Sequence, residues 1–71
     1  MPLVEVKVFE DELTVEQTRE LIQKITDAVT TVTNEKLRDV TWVIINEVKN
    51  RNWGVGGKAL RLQDVRKIIS G

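Results

Sequence analysis

Residues 40–48 read Val-Thr-Trp-Val-Ile-Ile-Asn-Glu-Val, the most strongly strand-like run in this chain of 71 residues. β-Branched and aromatic side chains of this kind pack well on a pleated sheet. The centre of the run is apolar at successive positions, so both of its faces carry apolar side chains. A strand with that pattern is typically buried on both sides. We therefore expect residues 40–48 to lie at the centre of the fold.

A second strand and a helix precede this run. Residues 3–9 alternate, with Val4, Val6 and Val8 on one face, which is the period-2 pattern of a strand. Residues 15 to about 33 carry apolar side chains at helical spacing. The order of elements predicts an α+β fold built on a single β-α-β unit, with parallel strands and a right-handed crossover.

Polar residues mark both ends of the predicted helix. Thr14 and Gln17 have the spacing of a capping box, and Asn34 is a plausible stop. After the second strand, three glycines within residues 54–57 predict a hairpin or a tight loop. Residues 58–69 then predict a short C-terminal helix, with residues 59–62 open to a partly extended conformation.

Composition limits the ways in which so short a chain can be stabilised. The length predicts one domain, residues 1–71, of a size that buries little apolar surface alone. The chain has no Cys and no His, which excludes disulfides and makes a metal site improbable. A two-stranded sheet covered by one helix also leaves its other face bare. We therefore expect association with further subunits to complete the sheet.

Charge and hydropathy bear on partners and location. Eleven Lys and Arg balance eleven Asp and Glu, which argues against nucleic acid and against anionic membranes as partners. The chain shows neither the layout of a signal peptide nor an apolar run of membrane-spanning length. These features predict a cytoplasmic protein.

Pro2 is the one residue with evident potential for acid–base chemistry, because the chain has no His, Cys or Tyr. A small residue at position 2 usually permits removal of Met1, which would turn the Pro2 nitrogen into a free secondary amine. Apolar surroundings would lower the pKa of that amine and make it a good general base. The structural alternative is that Pro2 simply begins an edge strand.

The chain resembles the 4-oxalocrotonate tautomerase family of the tautomerase superfamily, whose members carry an amino-terminal proline. The resemblance rests on Pro2, the Glu16-Gln17 pair, the run 43–47 and the Trp53-Gly-Val-Gly-Gly57 segment, and it covers most of the chain. It implies a tautomerase that needs no cofactor, acts on small enol, dienol or unsaturated acids and takes part in aromatic compound degradation. It also implies a homohexamer, as a trimer of dimers, with sites at subunit junctions; a heterohexamer is the alternative.

The same resemblance assigns roles to individual residues. Pro2 corresponds to the catalytic base, whereas Trp53 and Phe9 correspond to apolar walls around it. Members acting on dicarboxylates hold the substrate with two arginines, one in the loop after the first strand and one at the start of the second. Here that loop is acidic and Trp42 stands at the second position. Arg51 and Arg61 are the nearest candidates to replace those arginines, and Trp42 is a further candidate substrate contact.

Three functions are therefore compatible with the sequence. The leading one is a tautomerase with Pro2 as general base and then acid. The first alternative is a non-catalytic or half-site subunit in a mixed oligomer, whose partner supplies the missing arginines. The second alternative is hydratase or dehalogenase chemistry, for which Glu12 is the one loop carboxylate suited to activating water.

Overall fold

The computed structural model describes all residues from 1 to 71, and it confirms the β-α-β unit. The elements in chain order are β1 (Leu3–Phe9), α1 (Val15–Val32), a 3₁₀ turn (Glu35–Val40), β2 (Trp42–Val48), β3 (Trp53–Val55), β4 (Lys58–Leu60) and α2 (Leu62–Ser70). Strands β1 and β2 pair in parallel, with Leu3 opposite Trp42 and Phe9 opposite Val48. The helix α1 makes the crossover between them.

Helix α1 begins where the capping residues predict. Thr14 Oγ1 accepts a hydrogen bond from the Gln17 amide at 3.1 Å, and Gln17 Oε1 accepts one from the Thr14 amide at 2.9 Å. This reciprocal pair satisfies two of the amide groups that the first turn of a helix leaves without partners. The helix ends at Val32, within one residue of the prediction. Asn34 then caps the following 3₁₀ turn by accepting from the Lys36 amide.

Arg38 ties the 3₁₀ turn to α1 and so fixes where β2 begins. Its guanidinium lies 2.9 Å from Asp27 Oδ1 and donates to Thr30 Oγ1 at 3.2 Å. It also donates to Glu35, and this hydrogen bond lowers the pKa of the Glu35 carboxyl below its ordinary value. Thr30 is one of only two buried residues in the chain.

The β1–β2 sheet is covered on one face and open on the other. Val4, Val6, Val8, Val43 and Ile45 are half-buried on the α1 side. On the opposite face, Leu3, Trp42 and Ile44 remain 59%, 58% and 39% exposed. The predicted burial of both faces of β2 is therefore not met within one chain. One helix is wide enough to cover a single face, so the open face is consistent with completion by further subunits.

The C-terminal helix predicted within residues 58–69 is present, but it starts only at Leu62. Residues 58–60 form β4, which pairs antiparallel with β3, and α2 begins at Leu62. Gly56 and Gly57 both have positive φ, 59° and 84°, which is the geometry of a tight two-residue hairpin turn. Because β3 and β4 form this hairpin, residues 58–60 pair as a strand before the helix starts. The partly extended conformation allowed for residues 59–62 is therefore confirmed in part.

No helix in the structure is both long enough and apolar enough to cross a membrane.

Candidate active site

Pro2 and Trp42 lie together at the beginning of the parallel sheet. The Pro2 carbonyl accepts a hydrogen bond from the Trp42 amide at 3.0 Å. Trp42 is more than half exposed, and Met1 is 83% exposed. In this chain the Pro2 nitrogen is joined to Met1 as an amide. Because Met1 is so exposed, its removal would cost the fold little apolar burial.

Phe9 and Trp53 form an aromatic pair at the other end of the sheet. Their ring centroids are 4.9 Å apart and their planes are inclined by 23°, which is a stacked arrangement. Phe9 is 3% exposed and is the only buried hydrophobic residue of the chain. The pair therefore fixes the β3–β4 hairpin against the end of β1.

These two clusters cannot form one site within a single chain. Seven residue steps separate Pro2 from Phe9, and a strand rises about 3.3 Å per residue, so the separation is about 23 Å. A small acid spans only a fraction of that distance. A site that contains both Pro2 and the aromatic pair must therefore combine two chains. One chain supplies Pro2 from the beginning of its sheet, and another supplies the aromatic pair from the end of its sheet.

The loop after β1 is closed by one of its own acidic side chains and by Glu47 of β2. Glu12 Oε1 accepts a hydrogen bond from the Phe9 amide at 2.9 Å, and Glu47 Oε2 accepts one from the Asp11 amide at 3.0 Å. Asp11 has a φ of 66°, a conformation that Asp tolerates better than most residues. Two of the acids thus stabilise the turn that carries the chain from β1 toward α1.

The two candidate arginines differ in their freedom to bind a ligand. Arg51 lies in the turn after β2 with a φ of 71°, and its amide donates to the Leu60 carbonyl at 2.8 Å. Its exposed guanidinium makes no ion pair within the chain. The Arg61 guanidinium instead lies 4.0 Å from the Asp64 carboxylate at the start of α2. Arg51 is therefore the more available cation.

Arg66 is a cation at this end of the sheet that sequence reasoning missed. Its Nη2 donates to the Asp11 carbonyl at 3.3 Å and so brings a guanidinium to the acidic loop. The contact joins residues 55 positions apart. No local pattern in the sequence signals it, because it depends on how α2 folds back after the hairpin.

Comparisons with known proteins show the family to which this chain is similar. The family model described as "Tautomerase enzyme" matches residues 2–63. The probable tautomerase K2 of Dickeya dadantii (strain 3937) is 38% identical over 60 residues, covering 84% of this chain and 88% of the relative. The match with the family begins at Pro2.

Solved structures give the same result. YwhB, a homologue of 4-oxalocrotonate tautomerase, superposes with a TM-score of 0.73 at 38% identity, covering 89% of this chain and 97% of its own. DmpI from Helicobacter pylori superposes with a TM-score of 0.74 at 31% identity, covering 83% and 95%. A 4-oxalocrotonate tautomerase isozyme from Methylibium petroleiphilum gives 0.73 at 31% identity, covering 82% and 90%.

Proposed function

This chain belongs to the tautomerase enzyme family, and on that premise we propose that it is a tautomerase in which Pro2, freed by removal of Met1, is the general base and then the general acid. Family membership supports isomerase chemistry of the tautomerase type. The observation that carries the assignment of Pro2 is its place at the first position of the family match, ahead of β1.

The proposed reaction moves one proton and changes no other atom. The neutral Pro2 amine takes the hydroxyl proton of an enol or dienol acid as the carbonyl forms. The resulting ammonium then returns that proton to the carbon end of the conjugated system. No electrons are gained or lost, so the reaction requires no redox cofactor.

We propose that the working site is shared between copies of this chain. Pro2 and Trp42 of one copy would meet Phe9, Trp53 and the neighbouring cations of another. The open sheet face supports a homo-oligomer, and so does the placement of these residues at opposite ends of the sheet. We propose that this oligomer is a homohexamer built as a trimer of dimers. The aromatic pair would exclude water and keep the amine neutral.

The cations and acids at the aromatic end support a lightly charged substrate. Arg51 is the candidate for holding a carboxylate, since its guanidinium is unpaired, whereas Arg61 is partly neutralised by Asp64. The acidic loop would repel a second carboxylate on the substrate. We therefore propose a monoacid enol rather than a dicarboxylate, with Trp42 as an apolar contact.

The second candidate function is a half-site subunit in a mixed oligomer. It is favoured by the acidic loop at Glu10-Asp11-Glu12, where a carboxylate-binding arginine from a different chain would find complementary charge. Hydration or dehalogenation receives less support, because one carboxylate oxygen of Glu12 is already bonded to the Phe9 amide.

The test is enol ketonisation by the purified chain, with phenylenolpyruvate and 2-hydroxymuconate as substrates and intact-mass measurement of the amino terminus. We expect loss of Met1, faster turnover of the monoacid, and loss of activity in Pro2→Ala. Equal activity of Pro2→Ala and wild type would contradict the role of Pro2. Inactivity of the pure chain with Met1 removed, together with activity after addition of a second family chain, would favour the half-site function.

A further inference from the structure

The zero net charge of this chain conceals a strong division of charge along its length. Residues 1–48, here called the body, contain ten acidic and five basic side chains. Residues 49–71, here called the arm, contain one acidic and six basic side chains. The body therefore carries five net negative charges and the arm five net positive charges. Two surfaces of opposite sign attract each other between molecules as well as within one.

The molecule is elongated, although the arm contacts the body where Trp53 stacks on Phe9 and where Arg66 donates to the Asp11 carbonyl. The chain measures 42 × 23 × 19 Å and has a radius of gyration of 14.7 Å, whereas a compact domain of this length has a radius of gyration of about 11 Å. Its exposed surface is 5666 Å², whereas a compact monomer of this mass exposes about 4,500 Å². The additional exposed surface of this chain is larger than the roughly 800 Å² that each partner buries in a stable interface.

The end of the arm presents apolar side chains that nothing in its own chain covers. Helix α2 has an apolar stripe in which Leu62 and Val65 are half-buried, whereas Ile68 and Ile69 are 80% and 79% exposed. Lys67 directly precedes this isoleucine pair, after Arg66, whose Nη2 already donates to the Asp11 carbonyl of the same chain. A paired apolar ridge flanked by cations fits an apolar groove with an acidic wall.

The body contains a groove of that kind. It has a volume of about 560 Å³ and lies between the loop after β1, the first turns of α1 and the end of β2. Leu13, Val15 and Ile22 supply its apolar lining, and Asp11 and Glu47 its acidic wall; Thr18 and Arg19 complete it. The open sheet face is also apolar, but its charges are neutralised because Lys7 lies 3.5 Å from Glu5. The two carboxylates of the groove outnumber its one cation, Arg19, so charge complementarity favours the groove.

We propose that the groove of each body receives the Ile68–Ile69 ridge of a second copy of this chain, so that α2 acts as a basic clasp between subunits. The family model ends at residue 63, so most of this helix lies beyond the family match. The inference concerns assembly alone and is independent of the proposed catalysis. Pro2→Ala should abolish turnover without changing association.

The first test is the dissociation constant of the wild-type oligomer, measured by sedimentation equilibrium as a function of salt. Because opposite charges drive the contact, raising NaCl from about 0.05 M to about 0.5 M should weaken association at least about tenfold. Association that is unchanged or strengthened by salt would overturn the electrostatic basis of the clasp.

Two variants locate the contact. Ile68→Ser/Ile69→Ser should weaken association about a hundredfold through lost apolar burial, and Val15→Ser at the groove at least about tenfold. All three side chains are largely exposed in the single chain, at 80%, 79% and 73%, so circular dichroism should show the fold intact. Wild-type association of the isoleucine variant would overturn the proposal. Wild-type association of Val15→Ser would overturn the groove as the receiving surface.

Lys67→Glu and Lys36→Glu form a matched pair, since each reverses one exposed lysine and changes net charge equally. Lys67 is on the arm and Lys36 on the already acidic body. Lys67→Glu should weaken association about fivefold or more and flatten its salt dependence, whereas Lys36→Glu should leave association unchanged or stronger. Equal weakening by both would mean that net charge alone controls assembly, and would refute the clasp.

Discussion

The stack of Phe9 on Trp53 should contribute a large share of this chain's stability, and Phe9→Ala measures it. Phe9 is the only buried hydrophobic residue, at 3% exposure, and removal of a buried Phe side chain costs about 3–5 kcal/mol. A domain of 71 residues has a free energy of unfolding of only about 4–11 kcal/mol at the usual 0.05–0.15 kcal/mol per residue. Phe9→Ala should therefore remove from about a quarter to all of that stability.

Urea unfolding followed by far-ultraviolet circular dichroism, at one fixed subunit concentration, gives the free energy of each variant. Phe9→Leu keeps an apolar side chain but loses the stack, so it should cost less than Phe9→Ala. A double-mutant cycle with Trp53→Leu should return a coupling of about 0.5–1.5 kcal/mol for the aromatic pair. If Phe9→Ala costs less than about 1 kcal/mol, or the coupling is zero, then the stack does not hold the hairpin to the sheet.

Four other outcomes are expected. Thr14→Ala should lower the free energy of unfolding by about 1 kcal/mol in urea titrations, because the capping box is lost, and a smaller loss in Thr14→Ser would confirm the role of the hydroxyl. Arg38 lowers the pKa of Glu35 below its ordinary value of 4.5, so the stability difference between wild type and Glu35→Gln should be full above pH 4.5 and shrink as pH falls below it. Gly57→Ala should cost roughly 1–2 kcal/mol in thermal unfolding, through its positive φ alone, since an added methyl group meets no atom within 4 Å. Arg51→Gln should raise KM for phenylenolpyruvate about tenfold or more with a smaller change in kcat, and an unchanged KM would remove Arg51 from the substrate site.

Local signals in the sequence were sufficient for the β-α-β unit. Alternation in residues 3–9, helical spacing from residue 15 and the Thr14–Gln17 capping box each depend on neighbours within a few positions. Such patterns reflect hydrogen bonding and side-chain direction within one element, and they are therefore readable before the chain folds. The same is true of Pro2, whose candidacy as a base depends on its place in the chain.

Long-range packing decided the arrangement of the candidate site. The pairing of Trp42 with Pro2 at the beginning of the sheet and the stacking of Trp53 on Phe9 at its end are contacts between residues far apart in the chain. The approach of Arg66 to Asp11 and the pairing of residues 58–60 as a strand depend on how the chain turns at its glycine pair. These contacts join distant residues, and their free energy comes from burial and geometry that exist only after folding.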